Sequence, residues 1–159
     1  MKKIFFVIVL VAFVGCHNEA SKSDAIHNPP SVKSITEDMG CENCRMNIEK
    51  FLLTGHAIQT EDGNNHYYCS INCCTAAWNR NDFSEVAVFA FDNESIEFVP
   101  VDSVYYVVGS KQPAVMSKVS KYAFKNPEKA EQFKIEHEGE AVLRYKEVFL
   151  MCEEELAKR

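Results

Sequence analysis

From residue 56 onward the apolar positions change their spacing about every ten residues, which predicts short elements rather than long ones. His56 to Thr60 and His66 to Cys69 alternate like two strands. Asp62-Gly63-Asn64-Asn65 between them is a turn in which Gly63 suits a positive φ. Ser70 is placed to cap a short helix running through Trp78, which Asn79 to Asp82 then break. Val86 to Phe91 and Ser95 to Val99 form a second strand pair about Asp92-Asn93-Glu94, and Tyr105 to Val108 is expected to extend the same sheet. Asn126-Pro127-Glu128 opens a helix with Pro in its first turn. Its inner side is expected to carry Ala130, Phe133 and either Ile135 or His137, and Gly139 should end it. Ala141 to Tyr145 reads as a strand, and Lys146 to Lys158 as a final amphipathic helix. The pattern implies an α+β domain of small antiparallel sheets with helices packed on them, with two strand-strand-helix halves as the simplest organisation.

The first 37 residues follow other rules. Met1-Lys2-Lys3 is a positive start, and Ile4 to Val14 is an apolar run too short to span a bilayer comfortably, as in a secretory signal. Phe13-Val14-Gly15-Cys16 resembles the bacterial lipobox, with Phe13 where Leu is usual. The expectation is a signal peptide over 1–15 and lipid attachment at Cys16. The protein would then face the periplasmic side of the cell envelope. No Asp follows Cys16 to resemble an inner-membrane retention signal, which points to the outer membrane in a Gram-negative host. From His17 to Glu37 the chain is polar, contains Pro29-Pro30 and lacks periodicity, so 16–37 reads as a tether with a reach of at most about 70 Å. Residues 38–159 form the folded domain.

Removal of 1–15 leaves 144 residues, enough for one core, and takes the formal charge from −6 to −8. A chain this acidic has no cationic surface to neutralise phosphates, which argues against a nucleic-acid partner.

The candidate chemistry lies in sulfur. Besides Cys16 there are Cys41, Cys44, Cys69, Cys73, Cys74 and Cys152, too sparse for a disulfide-stapled mini-protein. Cys41 and Cys44 form a Cys-x-x-Cys with Met46 two residues on. Thiolate and thioether sulfurs together are the donor set soft copper(I) prefers. Three readings remain open. Copper(I) could be chelated by Cys44 and Met46 with a distant sulfur. The cysteines could close into disulfides in an oxidising compartment, a Cys41–Cys44 bond removing the ligand. Cys41, Cys44, Cys69 and Cys73 could form a four-cysteine zinc knuckle with 24 residues between the pairs. Copper transfer ranks first, disulfides second and structural zinc third. His56 and His66, flanking the first hairpin, are further candidate ligands, although a strand histidine is more often simply hydrogen-bonded. Cys152 shares a helical stripe with Val148 and Leu156 and reads as a small buried hydrophobe. Met39 reads as a domain-entry residue, Met151 as packing in the last helix, and His137 as a helix C-terminal residue.

Several segments resemble the nitrous-oxide-reductase accessory family NosL. They are Cys41-Glu42-Asn43-Cys44-Arg45-Met46, Asp62-Gly63, Tyr67-Tyr68, Tyr106-Val107-Val108-Gly109-Ser110, Met116, Ala123-Phe124, Ala130, Phe133, His137-Glu138-Gly139 and Val142-Leu143. The resemblance implies a lipid-anchored copper(I) chaperone with an organomercurial-lyase-like fold. It also implies a partner in nitrous oxide reductase or its assembly machinery, and copper on Cys44, Met46 and Met116, with Cys41 next. Cys69, Cys73 and His56 form a second tier. The chain departs from the family at Arg45, which stands where the family has Gly, and at Val115 and Ser117, which replace a Pro and a Gly beside the later Met. The Cys-x-x-x-Cys of 69 and 73 also resembles small heavy-metal domains of the TRASH or YHS type, which implies a larger metal site. The rival class is a thiol-disulfide oxidoreductase. Against it, the Cys-x-x-Cys does not open a helix after a strand, and no nucleophile elbow, phosphate loop or zinc-protease His pair is present.

Overall fold

The computed structural model describes residues 28–81, 83 and 86–159. The expected signal peptide and Cys16 lie outside the described residues. Among the described residues seven strands and three α-helices follow in order: β1 (His56–Gln59), β2 (Asn65–Tyr68), α1 (Ile71–Arg80), β3 (Ala87–Asp92), β4 (Glu97–Pro100), β5 (Tyr105–Val108), β6 (Lys121–Phe124), α2 (Pro127–Glu136), β7 (Ala141–Arg144) and α3 (Tyr145–Ala157). They make two antiparallel sheets, ordered β2-β1-β3-β4 and β6-β5-β7. The class is α+β, as the pattern predicts.

Each half repeats one plan. A 3₁₀ segment, Glu49–Thr54 in one half and Val101–Ser103 in the other, leads into a strand. That strand becomes the centre of its sheet; the second strand pairs on one side of it, a helix crosses over, and the third strand pairs on the other side. β1 and β2 meet through a turn in which the Gly63 amide donates to the Thr60 carbonyl and Gly63 has φ 81°, the conformation its lack of Cβ permits. The two crossover helices are capped alike. Ser70 accepts from the Cys73 amide and Asn126 from the Glu128 amide, with Pro127 at the first turn of α2.

Two expectations are corrected, and two points the pattern left open are settled. Tyr105–Val108 does not extend the first sheet: it is the centre of the second, between β6 and β7. β6, buried along its whole length, is an element the periodicity did not reveal. On α2 the inner side is Ala130, Phe133 and His137, whose ring lies 4.3 Å from that of Phe133; Ile135 is 75% exposed. The packed domain also starts before residue 38. Pro30 is buried, Val32–Ser34 form a 3₁₀ turn capped by Ser31, and Val32 and Ile35 pack against the core.

The halves are joined by polar as well as apolar contacts. Ala90 and Val99 of the first sheet share a core with Tyr106, Val108 and Ala123 of the second, closed by Ile71 of α1 and Val148 and Cys152 of α3. Asp92, buried at the end of β3, accepts from the amides of Ser95 and Lys125. Burial works against its charge, yet these bonds hold its carboxyl below the ordinary range. His56 is buried between the sheets, its Nε2 2.9 Å from the Tyr106 hydroxyl and its Nδ1 3.0 Å from the Thr54 carbonyl. Among the described residues no helix is long and apolar enough to cross a membrane.

Candidate metal centre

The centre is assembled from two short pieces of backbone. In the first, residues 41–46 form a tight loop closed by a bridge between Gly40 and Asn47. The Cys41 amide donates to the Met46 carbonyl, and the Arg45 amide donates back to the Cys41 carbonyl, each at 2.8 Å. This turn requires φ 66° at Arg45, in the left-handed region where a glycine would sit without strain and where a side chain costs about 1 kcal/mol. The loop docks on β2: the Glu42 amide donates to the Tyr67 carbonyl at 3.1 Å, and the Glu42 carboxylate lies 2.9 Å from His66 Nδ1. That contact accounts for His66.

The second piece is the β2–α1 junction. Cys69 follows the last residue of β2, and Cys73 sits in the first turn of α1, its amide held by the Ser70 hydroxyl at 3.3 Å. Residues 69 and 73 therefore face the loop that β2 itself anchors. The sulfurs of Cys41, Cys44, Cys69 and Cys73 all lie within 4.8 Å of one another. Cys44 Sγ is 3.5 Å from Cys69 Sγ, and Cys69 Sγ is 3.7 Å from Cys73 Sγ. Cys41, Cys69 and Cys73 are buried and Cys44 is half-buried, so the group has one approachable face.

Three of the four thiols share charge. Hydrogen bonds from the Cys69 and Cys73 thiols hold Cys41 far below the ordinary thiol range, helped by the backbone amides of Cys69 and Cys44. The same contacts with Cys41, together with burial, push Cys69 strongly up and Cys73 to about 12. The Asn43 side-chain amide donates to Cys73 Sγ at 3.1 Å and favours its ionised form. The metal-free cluster thus has one readily formed thiolate, at Cys41, and tightly held protons on Cys69 and Cys73. A bound cation must displace those protons, so uptake strengthens as pH rises.

Of the residues singled out in the sequence, Cys41, Cys44, Cys69 and Cys73 come together. Met46 and Met116, like Cys44, pack half-buried against the apolar cluster that contains Cys41, Cys69 and Cys73; Met46 is tied in through its carbonyl, and Met116 adopts φ 52° with its carbonyl accepting from Arg159. His56 is elsewhere: both its ring nitrogens are engaged between the sheets, and burial lowers its pKa to about 4. Cys74, next to a member of the group, is not part of it and is buried in the core, where desolvation raises its thiol. Cys152 is buried as its helical stripe predicts, donating to the Asn72 side-chain oxygen at 3.3 Å. Asn43 is the residue that sequence reasoning missed, since an Asn inside a Cys-x-x-Cys carries no signal until the loop is folded.

Comparison with known proteins bears on both the fold and the site. No curated protein matches the chain. Among solved structures, the crystal structure of the copper chaperone NosL from Shewanella denitrificans matches with a TM-score of 0.55 at 20% identity, over 75% of this chain and 96% of that one. At that identity the likeness is one of fold. The family model NosL matches residues 31–150, which include both sheets and all four clustered cysteines, and the chain belongs to the NosL family.

Proposed function

We propose that this protein carries copper(I) on the outer side of a cell membrane and delivers it for the maturation of nitrous oxide reductase. In this reading it is a metal carrier, not an enzyme, and is held to the membrane by lipid at Cys16. The observation that carries the proposal is the group of four sulfurs with one half-buried member, Cys44. Family membership and the copper chaperone among its structural neighbours support copper as the cargo.

Thiolates are the donors that select copper(I), which is content with two or three of them. Copper would enter at Cys44 and share the buried thiolates. It would leave by ligand exchange, with no change of oxidation state, as a recipient's donor replaces Cys44 at the open face. Met46 and Met116 would act as weak neutral donors beside the thiolates, easing exchange rather than fixing the ion. Lipid at Cys16 would keep the carrier at the membrane, with the polar segment after it giving reach.

Incubating copper(I)-loaded protein with metal-free nitrous oxide reductase tests the reading. Copper should move to the enzyme and its activity should appear. Transfer no faster than from a small-molecule copper(I) complex would contradict delivery. Mass spectrometry of the membrane fraction should find a diacylglycerol-modified N-terminus at Cys16; a mature chain starting elsewhere without lipid would refute the anchor.

A further inference from the structure

The four sulfurs offer more donors than copper(I) needs. A tetrahedral ion bonded to four thiolates at 2.3 Å has its sulfurs about 3.8 Å apart. Two of the sulfur contacts, Cys44–Cys69 at 3.5 Å and Cys69–Cys73 at 3.7 Å, lie close to that edge, and all pairs fall within 4.8 Å. The sulfurs therefore already stand at separations that four donors around one tetrahedral ion can adopt with small shifts. They come from one Cys-x-x-Cys loop and one Cys-x-x-x-Cys helix start, pinned together by β2, so that little rearrangement is needed to close round an ion.

Charge points the same way. Four thiolates in a largely buried group need cationic compensation. Among the described residues no lysine or arginine donates to these sulfurs; the side chain that does, Asn43, is neutral. Glu42, in the same loop, adds negative charge close by. A dication offsets two of the four negative charges and uses all four donors at once, whereas copper(I) offsets one and leaves donors idle.

We propose that the same four cysteines bind one divalent zinc ion in a closed tetrahedral site, so that the protein has a zinc-loaded state distinct from its copper-loaded one. Zinc holds Cys41, Cys44, Cys69 and Cys73 together and shields the thiols, and copper(I) competes for the same sulfurs. This goes beyond the copper reading and does not depend on it.

Cobalt(II) is the probe, because it takes zinc's geometry and reports it in visible absorption. The full reduced chain, titrated with cobalt(II), should saturate at one ion per chain. It should show intense tetrahedral ligand-field bands with sulfur-to-cobalt charge transfer, erased by one equivalent of zinc. In Cys44→Ser, where only the half-buried donor changes and circular dichroism verifies the fold, the charge transfer should fall by about a quarter and the bands should shift. In Cys152→Ala both should stay as in the unaltered chain. Weak octahedral bands, or a spectrum that Cys44→Ser leaves unchanged, would overturn the proposal. A parallel copper(I) titration separates the two readings: copper bound without tetrahedral cobalt refutes only the zinc state, and tetrahedral cobalt without copper binding refutes only the copper function.

Discussion

The two halves of this molecule use one backbone plan for different ends, and the contrast is sharpest where a strand hands over to its crossover helix. In the first half this junction reads Cys69-Ser70 and, three residues after the cap, Cys73-Cys74. In the second half it reads Lys125-Asn126 and then Lys129-Ala130. The caps correspond, and the buried small residues Cys74 and Ala130 correspond. The positions that carry two of the clustered thiols in one half carry lysines in the other. What makes the first half a site is thus not the plan but two residues at this junction, and the loop of 41–46 that docks on β2 beside them. The second half supplies the far wall: its β5 gives Tyr106 to hold His56, and its α3 packs against α1.

Breaking the contrast most severely means removing two donors at once. The Cys44 and Cys69 sulfurs lie 3.5 Å apart, and Cys44 is the half-buried, approachable partner. A disulfide oxidant should therefore form a mixed disulfide at the accessible Cys44, and Cys69, 3.5 Å away, should give up its proton and displace the oxidant's remaining thiol, its proximity outweighing its reluctance to ionise. Peptide mapping should show a Cys44–Cys69 bond instead of the Cys41–Cys44 bond that the Cys-x-x-Cys spacing suggests, and the oxidised protein should bind neither copper(I) nor zinc measurably. Full metal binding after complete oxidation would place the ligands elsewhere.

Removing one donor comes next. Binding of structural zinc by four ligands is worth ~10–16 kcal/mol, so Cys73→Ser should cost on the order of 3 kcal/mol, a loss of over 100-fold in competition with a chromophoric chelator. Lys129→Ala, at the corresponding first-turn position of α2, should leave affinity unchanged. Equal effects of the two substitutions would erase the distinction between the halves.

The seam between the halves should respond to acid. Folded His56 titrates near 4 because burial disfavours its charged form, while in the unfolded chain it titrates near 6.5. Between those values the unfolded state binds a proton that the folded state refuses. The His56 contribution is therefore complete above pH 6.5 and is lost as pH falls towards 4, by up to about 3 kcal/mol. Denaturant unfolding of His56→Asn should show a shallower loss of stability over that window. An unchanged pH slope would mean that His56 is not the group responsible.

The smallest effect concerns the loop alone. Arg45→Gly relieves the left-handed strain at φ 66°, partly offset by the greater freedom of glycine in the unfolded chain, so stability should change by under about 1 kcal/mol while metal affinity holds. A large loss of affinity would show that the Arg45 side chain has a role in the site.

Much of this was legible in the sequence because it rests on local signals. Ser70, Gly63 and Asn126-Pro127 act within a few residues of themselves, and they set α1, the first turn and α2 where the pattern places them. β6 was not legible: Lys121-Tyr122-Ala123-Phe124 has neither clean alternation nor a turn beside it, and it is a strand because it pairs with β5. The sheet membership of β5 failed for the same reason, since partners are chosen by tertiary packing and not by the strand itself. At the site, the spacing of the cysteines raised the four-thiol group as one of three readings. Only the docking of the 41–46 loop on β2 shows that Cys41 and Cys44 meet Cys69 and Cys73 while Cys74, one residue further, is turned into the core.

Copper stoichiometry in a set of variants tests the central claim most directly. Native mass spectrometry of the reduced full chain with copper(I) should show binding that survives Met46→Ala and Met116→Ala with modest weakening and is lost in the double variant Cys69→Ser, Cys73→Ser. Copper binding that persists in the double cysteine variant but disappears with either methionine would contradict the account, and would place the ion on Cys44, Met46 and Met116 instead.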